Sequence, residues 1–293
     1  MKRLLLTVMM FFAVLSLFSF SLVDDLGRIV EFEETPQRIV VAAPVFTDYL
    51  VRLGVADRIV GVTEFDPFDA EKIGRTTPLN IEKIVSLEPD LIIVAGGFQA
   101  GEVAKLDKFD LKVICLNPNS METIFRTTNI LATICGKEEK GNEIVETYRD
   151  KMMTIAEGKS YKIPIGERKK VFYAMIAGTE IKDLWTCGQG SFLNEAISLA
   201  GGVNIAGNYS GPSGWLPISV EFVASQNPDA IIVPYYYQGG EQQAREAILN
   251  FSPWKNVTAV KNEDIIGIDG EKASHANLKL VDLIADIYSG LYE

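Results

Sequence analysis

A thirteen-residue segment, Glu82-Lys-Ile-Val-Ser-Leu-Glu-Pro-Asp-Leu-Ile-Ile-Val94, returns 139 positions later as Glu221-Phe-Val-Ala-Ser-Gln-Asn-Pro-Asp-Ala-Ile-Ile-Val233. In each copy a glutamate stands seven residues before a Pro-Asp pair, an apolar helical stretch lies between them, and a short β-favouring run follows. Ile81, Ile84, Val85 and Leu87, and likewise Val220, Val223 and Ala224, fall near helical spacing and form one inward face. Proline ends the helix, the aspartate completes the turn, and the unbroken apolar run reads as a strand covered on both sides. The chain therefore carries one helix-turn-strand module twice. Duplicated modules of this kind imply two similar lobes and a ligand cleft between them.

The rest of the chain alternates in the same way. Arg38 to Val41, Arg58 to Val62 and Lys170 to Ile176 read as strands; Phe46 to Leu53 and Phe192 to Ala200 read as helices stopped by Gly54 and Gly201-Gly202. Such alternation predicts an α/β protein of two doubly wound, mainly parallel-sheet lobes. Between the lobes, Val145, Tyr148, Met152 and Ile155 make a stripe along one long helix over residues 138–158, which would join a first lobe (22–137) to a second (159–293).

Lys2 and Arg3, the apolar stretch from Leu4 to Phe20 and Ser19-Phe20-Ser21 form an export signal, residues 1–21, expected to be cleaved after Ser21. No cysteine follows that site, so the mature chain is expected in the periplasm and not as a lipoprotein. Formal net charge is −11, which disfavours a nucleic-acid partner. The three cysteines, Cys115, Cys135 and Cys187, lack metal-ligand spacing; Cys115, ending an apolar strand, and Cys135, ending an apolar helix, read as core residues, and at least one of the three is unpaired. With one histidine in the chain, no multi-histidine metal site is expected. Gly188-Gln-Gly-Ser191 is neither a nucleophile elbow nor a phosphate loop, and Ser191 reads as a helix cap. Glu64, Asp66 and Asp69 read as a solvated loop.

In open parallel sheets, ligands bind beyond the carboxyl ends of the strands. Aromatic residues gather at those positions: Phe46, Phe65 and Phe98 in the first half, Trp185, Tyr235 and Tyr236 in the second, with His275 nearby and Trp215 in a glycine-proline loop. These are the candidate ligand-binding residues. Single aromatics usually serve the core, so their shared position is what marks them.

Taken in order, these features resemble a known family. The export signal, the Asp-x-x-Gly-Arg-x-Val and Pro-x-Arg-Ile-Val runs near the start, Asn80-Ile-Glu82 with Pro89-Asp90, Ala200-Gly-Gly-Val-Asn-Ile205, Glu221 with Pro228-Asp229, and Pro253-Trp-Lys-Asn-Val-Thr-Ala-Val260 are similar to the periplasmic substrate-binding proteins of ABC importers for ferric siderophores, cobalamin and heme. The resemblance implies a monomeric, non-enzymatic carrier that hands its ligand to a membrane permease dimer driven by an ATPase. It also implies that Glu82 and Glu221 dock onto that permease. No resident cofactor or protein-bound metal is expected; iron would travel only inside a bound chelate. An iron chelate is the first expectation for the ligand, with cobalamin or heme as alternatives, and an exported cleft enzyme or a ligand sensor as competing readings. Micromolar affinity needs about −8 kcal/mol, within reach of a ligand of some forty atoms at about 0.3 kcal/mol per atom. Arg75 is the one basic residue in a candidate cleft-side loop, which disfavours a strongly anionic chelate.

Overall fold

The computed structural model describes residues 19–176, 181 and 184–293. The expected export signal lies outside the described residues except for its last three positions. Two compact units emerge. The first takes in the described residues up to Thr47, Leu53–Leu116 and Ile130–Glu138; the second comprises Asp48–Arg52, Asn117–Asn129 and Glu139–Glu293.

The strands in chain order are β1 (Phe20–Val23), β2 (Ile29–Phe32), β3 (Ile39–Val41), β4 (Ile59–Val62), β5 (Glu71–Lys72), β6 (Leu91–Ala95), β7 (Val113–Leu116), β8 (Lys170–Tyr173), β9 (Trp185–Cys187), β10 (Val203–Asn204), β11 (Trp215–Pro217), β12 (Ala230–Tyr235) and β13 (Ile265–Asp269). The helices are α1 (Thr47–Arg52), α2 (Ile81–Ser86), α3 (Ala100–Leu106), α4 (Met121–Cys135), α5 (Glu138–Ala156), α6 (Phe192–Leu199), α7 (Val220–Gln226), α8 (Gly240–Leu249), α9 (Thr258–Lys261), α10 (Gly270–Ser274) and α11 (Lys279–Tyr292).

In the first unit β5-β4-β3-β6-β7 form a parallel sheet. Every residue of β6 and β7 is buried, as their unbroken apolar runs require of strands covered on both faces. Val40, Ile92, Val94 and Cys115 pack with Ile84 of α2 and with Val103 and Leu106 of α3. Ahead of the sheet stands the antiparallel pair β1-β2, turned at Gly27, whose φ of 77° suits glycine. Phe20 stacks on Phe32 at 5.1 Å within this pair. Cleavage after Ser21 would thus divide β1.

The second unit holds the parallel sheet β10-β8-β12-β13 and the antiparallel pair β9-β11. Phe172, Ile231, Val233, Val223 and Trp254 centre its core. Helix α11 buries Leu280, Val281, Leu283, Ile284, Ile287 and Leu291, the i, i+3, i+4, i+7 pattern of a helix with one face inward. The chain is α/β, with a parallel sheet in each unit.

The repeated segment does the same work in both units. Asp90 accepts the backbone N–H groups of Gln37 (2.7 Å) and Arg38 (2.9 Å) and returns its own N–H to the Arg38 carbonyl at 3.0 Å. Asp229 accepts from Lys170 N at 2.8 Å and donates to the Lys170 carbonyl, also at 2.8 Å. Each Pro-Asp thus clips the start of its unit's central strand, β3 or β8, to the strand that follows the turn. The residue before each proline is left-handed, Glu88 at φ 46° and Asn227 at φ 48°.

Asp66 departs from the sequence expectation of a solvated loop: it is 2% exposed. It accepts the Thr47 hydroxyl (2.5 Å) and Phe68 N–H (2.9 Å), so it fixes the turn after β4 to the start of α1.

Candidate functional site

In both sheets the strand order reverses beside the first strand, between β3 and β6 and between β8 and β12. At such switch points, adjacent connections leave on opposite faces and open a crevice at the carboxyl ends. Of the candidate residues, Phe46 and Phe98 follow β3 and β6, Tyr235 ends β12 and Tyr236 follows it; Phe65, Trp185, Trp215 and His275 lie on other elements.

In the second unit, β12 runs into Tyr235-Tyr236-Tyr237 and then Gly239, φ 82°, which turns the chain into α8. β13 ends at Asp269, whose carboxylate caps α10 by accepting Glu271 N–H at 2.8 Å. Between these two strand exits lies a pocket of about 470 Å³, walled by Tyr235, Tyr236 and Tyr237 and by the carboxylates Glu241, Asp269 and Glu271. Tyr236 is 53% and Tyr237 57% exposed, so both rings present surface. The Tyr237 hydroxyl donates to Gln243 at 2.8 Å, and Ser274 Oγ reaches the Tyr236 hydroxyl at 3.4 Å.

At the end of β8, Tyr173 is buried and meets Trp215 edge-on at 5.9 Å. Burial, reinforced by the neighbouring Tyr236 and Cys187, pushes the Tyr173 phenol well above its ordinary range, which keeps it neutral. Trp215 begins β11 and pairs with Cys187 of β9; Trp185, 41% exposed, pairs with Pro217 of the same ribbon. Tyr173 and Trp215 thus pack against each other at the end of β8, and neither is part of the wall of the pocket.

In the first unit, Phe65 follows β4 and Phe98 follows β6, each 64% exposed. Gln99, fully buried, explains how the Phe98 turn is held: it accepts Ala95 N–H (2.7 Å) and donates to the carbonyls of Ala42 (2.7 Å) and Thr76 (2.8 Å). Sequence reasoning missed Gln99, because nothing in its neighbours marks an amide that ties three loops. Phe46 corrects the expectation. It is 0% exposed in the turn before α1, so its ring fills core space and offers no face to a ligand.

His275 closes α10, is half-buried, and is not among the residues that wall the pocket. Glu241 of the wall was missed by sequence reasoning; it lies in the first turn of an amphipathic helix, where a carboxylate ordinarily needs no ligand to explain it.

Glu82 and Glu221 are both exposed, and each is the second residue of a capped helix. The Asn80 side chain accepts Lys83 N–H at 3.1 Å ahead of α2, and Ser219 accepts Phe222 N–H at 3.1 Å ahead of α7. Neither carboxylate has a hydrogen-bond or ion-pair partner among the described residues.

Parallel sheets with exposed aromatics at their switch points define an α/β ligand-binding protein. The chain belongs to the periplasmic binding protein family, whose pattern matches residues 39–271. Among known relatives it is similar to the uncharacterized ABC transporter substrate-binding lipoprotein YvrC of Bacillus subtilis, 24% identical over 278 residues that cover 92% of this chain and 84% of YvrC. It also resembles a vitamin B12-binding protein of Vibrio cholerae, 24% identical over 261 residues covering 86% and 87% of the two chains. In fold it matches the periplasmic heme-binding protein HutB of Vibrio cholerae with a TM-score of 0.75 at 21% identity, covering 88% of this chain and 99% of HutB. One expectation falls here. The chain was expected not to be a lipoprotein because no cysteine follows Ser21, yet YvrC is a substrate-binding lipoprotein. The sequence argument addressed one attachment position and does not exclude lipidation for this class of chain.

Proposed function

We propose that this protein is the extracytoplasmic solute-binding component of an ABC importer and that its ligand is a metal chelate, an iron chelate foremost. The observation that carries the reading is the tyrosine-walled pocket at the carboxyl ends of β12 and β13. A chelate buries rings and methylenes, and exposed tyrosine faces beyond the strand ends supply a matching surface. Phe65, Phe98, Trp185 and His275 are the remaining candidate contacts. Cobalamin or heme is the second reading, favoured by the relatives named for vitamin B12 and heme. That these relatives are binding proteins supports carriage rather than catalysis.

The same reading gives Glu82 and Glu221 their role. Exposed, unpartnered carboxylates at the same position of the two repeated helices suit salt bridges to basic residues of a two-fold permease, which acts with its ATPase on a monomeric carrier. Close, desolvated pairs across such an interface couple by about 1.5–7 kcal/mol. Titration of the purified protein with ferric chelates, cobalamin and hemin, followed by tryptophan fluorescence and thermal shift, is expected to give saturable binding to one class. At 100 times Kd the ligand adds about 2.7 kcal/mol of stability. The double variant Glu82→Ala/Glu221→Ala is expected to keep that affinity and lose uptake. No response across the panel would overturn the ligand reading, and normal uptake by the double variant would overturn the docking role.

A further inference from the structure

The pocket beside β12 and β13 has a charge and a construction that narrow its ligand. Glu241, Asp269 and Glu271 line it together with three tyrosines, and among the described residues no lysine or arginine is part of its wall. The nearest cation along the chain, Lys272, is engaged elsewhere, 2.6 Å from Asp286. Arg245 of α8 is likewise turned away, donating to the carbonyls of Ile265 and Glu263 at 2.7 Å each.

Two glycines seat this wall. A Cβ at Gly267 would fall 2.6 Å from Glu241 Cδ, and one at Gly270 would fall 2.6 Å from Tyr236 Cδ1 and 2.7 Å from its Cζ. The Glu241 side chain thus lies down on the backbone of β13, and the Tyr236 ring lies on the first residue of α10. A side chain at either glycine would make the Glu241 side chain or the Tyr236 ring move, so the two glycines leave room for them where they lie, both exposed.

We propose that this pocket receives a positively charged, N–H-donating group of the ligand, an ammonium or similar arm, held by Glu241, Asp269 and Glu271 with the faces of Tyr236 and Tyr237. Carboxylates take such a donor by charge-assisted hydrogen bonds, and a tyrosine face attracts a cation through its ring quadrupole. A ligand of this kind is cationic or neutral overall, and an anionic chelate is repelled. This deepens the importer reading and rests on it for the chelate, though not for the pocket's preference.

The test uses one iron chelate in three charge states: a linear ferric trihydroxamate with a free terminal ammonium, its N-acetyl form and its N-succinyl form. The ammonium form is expected to bind at least about ten-fold more tightly than the succinyl form, each tenfold being about 1.4 kcal/mol. That ratio should collapse toward one in Glu241→Gln/Glu271→Gln, and Gly270→Ala should weaken the ammonium form by displacing the Tyr236 ring. Equal or tighter binding of the succinyl form, or an unchanged ratio in the double variant, overturns the proposal while leaving the importer reading intact. A second arm needs no chelate: benzyltrimethylammonium and benzenesulfonate are titrated while the Tyr236 and Tyr237 ring resonances are followed. Shifts with the cation alone, lost in the double variant, uphold the proposal even where no chelate binds. Equal shifts with both probes, or none with either, overturn it.

Discussion

The carboxylate of Asp24 accepts backbone N–H groups from Leu26 (3.0 Å), Arg28 (2.9 Å) and Cys115 (3.3 Å), and the Arg28 guanidinium closes on it at 2.8 Å. Arg28 continues to the Val113 carbonyl, so one aspartate ties the β1-β2 turn to β7. Burial pushes this carboxyl upward, but the hydrogen bonds from the Arg28 backbone, the Arg28 side chain and Leu26 N–H outweigh it, and the net shift is below the usual 3.8. A depressed native value means the stabilisation is complete above the unfolded value and is withdrawn as pH falls below about 3.8. Asp24→Ala is expected to cost about 2–3 kcal/mol at neutral pH, since it strands hydrogen-bond donors and a half-buried guanidinium. Urea denaturation at pH 7 and pH 3 checks both statements: the gap between wild type and variant should narrow at the lower pH. At this scale the sequence was informative where a residue recurred or sat in a motif. It was silent on Gln99 and misleading on Asp66, because the partners that bury them, Ala42 and Thr76 for the one and Thr47 for the other, lie well away along the chain.

Among the elements, α7 shows how a candidate docking residue is held. Trp254 is fully buried and donates its indole N–H to the carbonyl of Val220, the first residue of α7, at 3.1 Å. It meets Phe172 of β8 and Phe251 edge-on at 5.7 and 5.1 Å. The tryptophan of the Pro253-Trp-Lys motif is thus the peg between the central strand and the helix that presents Glu221. Trp254→Ala is expected to destabilise the protein by about 3–5 kcal/mol through the cavity and the lost indole bond. Trp254→Phe should recover most of the packing and leave the Val220 carbonyl without its donor. Melting temperatures of the two variants, read beside wild type, separate those contributions.

The elements themselves were largely legible in the sequence. Pro-Asp after an apolar helical stretch and before Leu91–Ala95 or Ala230–Tyr235 specified helix, turn and buried strand in both places, because proline and a run of β-branched residues leave few alternatives. Ser191 caps α6 as its position suggested, accepting Leu193 N–H at 3.2 Å. What stayed illegible was direction. An aromatic after a strand can turn outward, as Phe65 and Phe98 do, or inward, as Phe46 does, and periodicity ends where the loop begins. The pocket's acidic wall was hidden for a similar reason: Glu241, Asp269 and Glu271 come from two strand exits that only the sheet order makes neighbours.

For the molecule as a whole, the relevant property is that covalent cross-links play no part in its stability. Cys115, Cys135 and Cys187 are all free and buried. Desolvation raises their thiols to about 11, 11 and 12 respectively, so almost no thiolate forms near neutrality. The melting temperature is therefore expected to be the same with and without reductant, and a thiol reagent at pH 7 should label the native protein only after denaturant is added. A large fall in melting temperature under reductant would contradict this. Each sheet has a core cluster of its own, centred on Phe172, Ile231 and Trp254 in one unit and on Val40, Ile92 and Val94 in the other.

The silence of those three thiols has a practical consequence. A cysteine introduced in place of Glu82 or Glu221, both on exposed helix starts, would be the sole reactive sulfur in an otherwise unaltered background. Paired spin labels or fluorophores could then follow the spacing of the two positions as cargo arrives and leaves, with no need to strip the native sulfurs first.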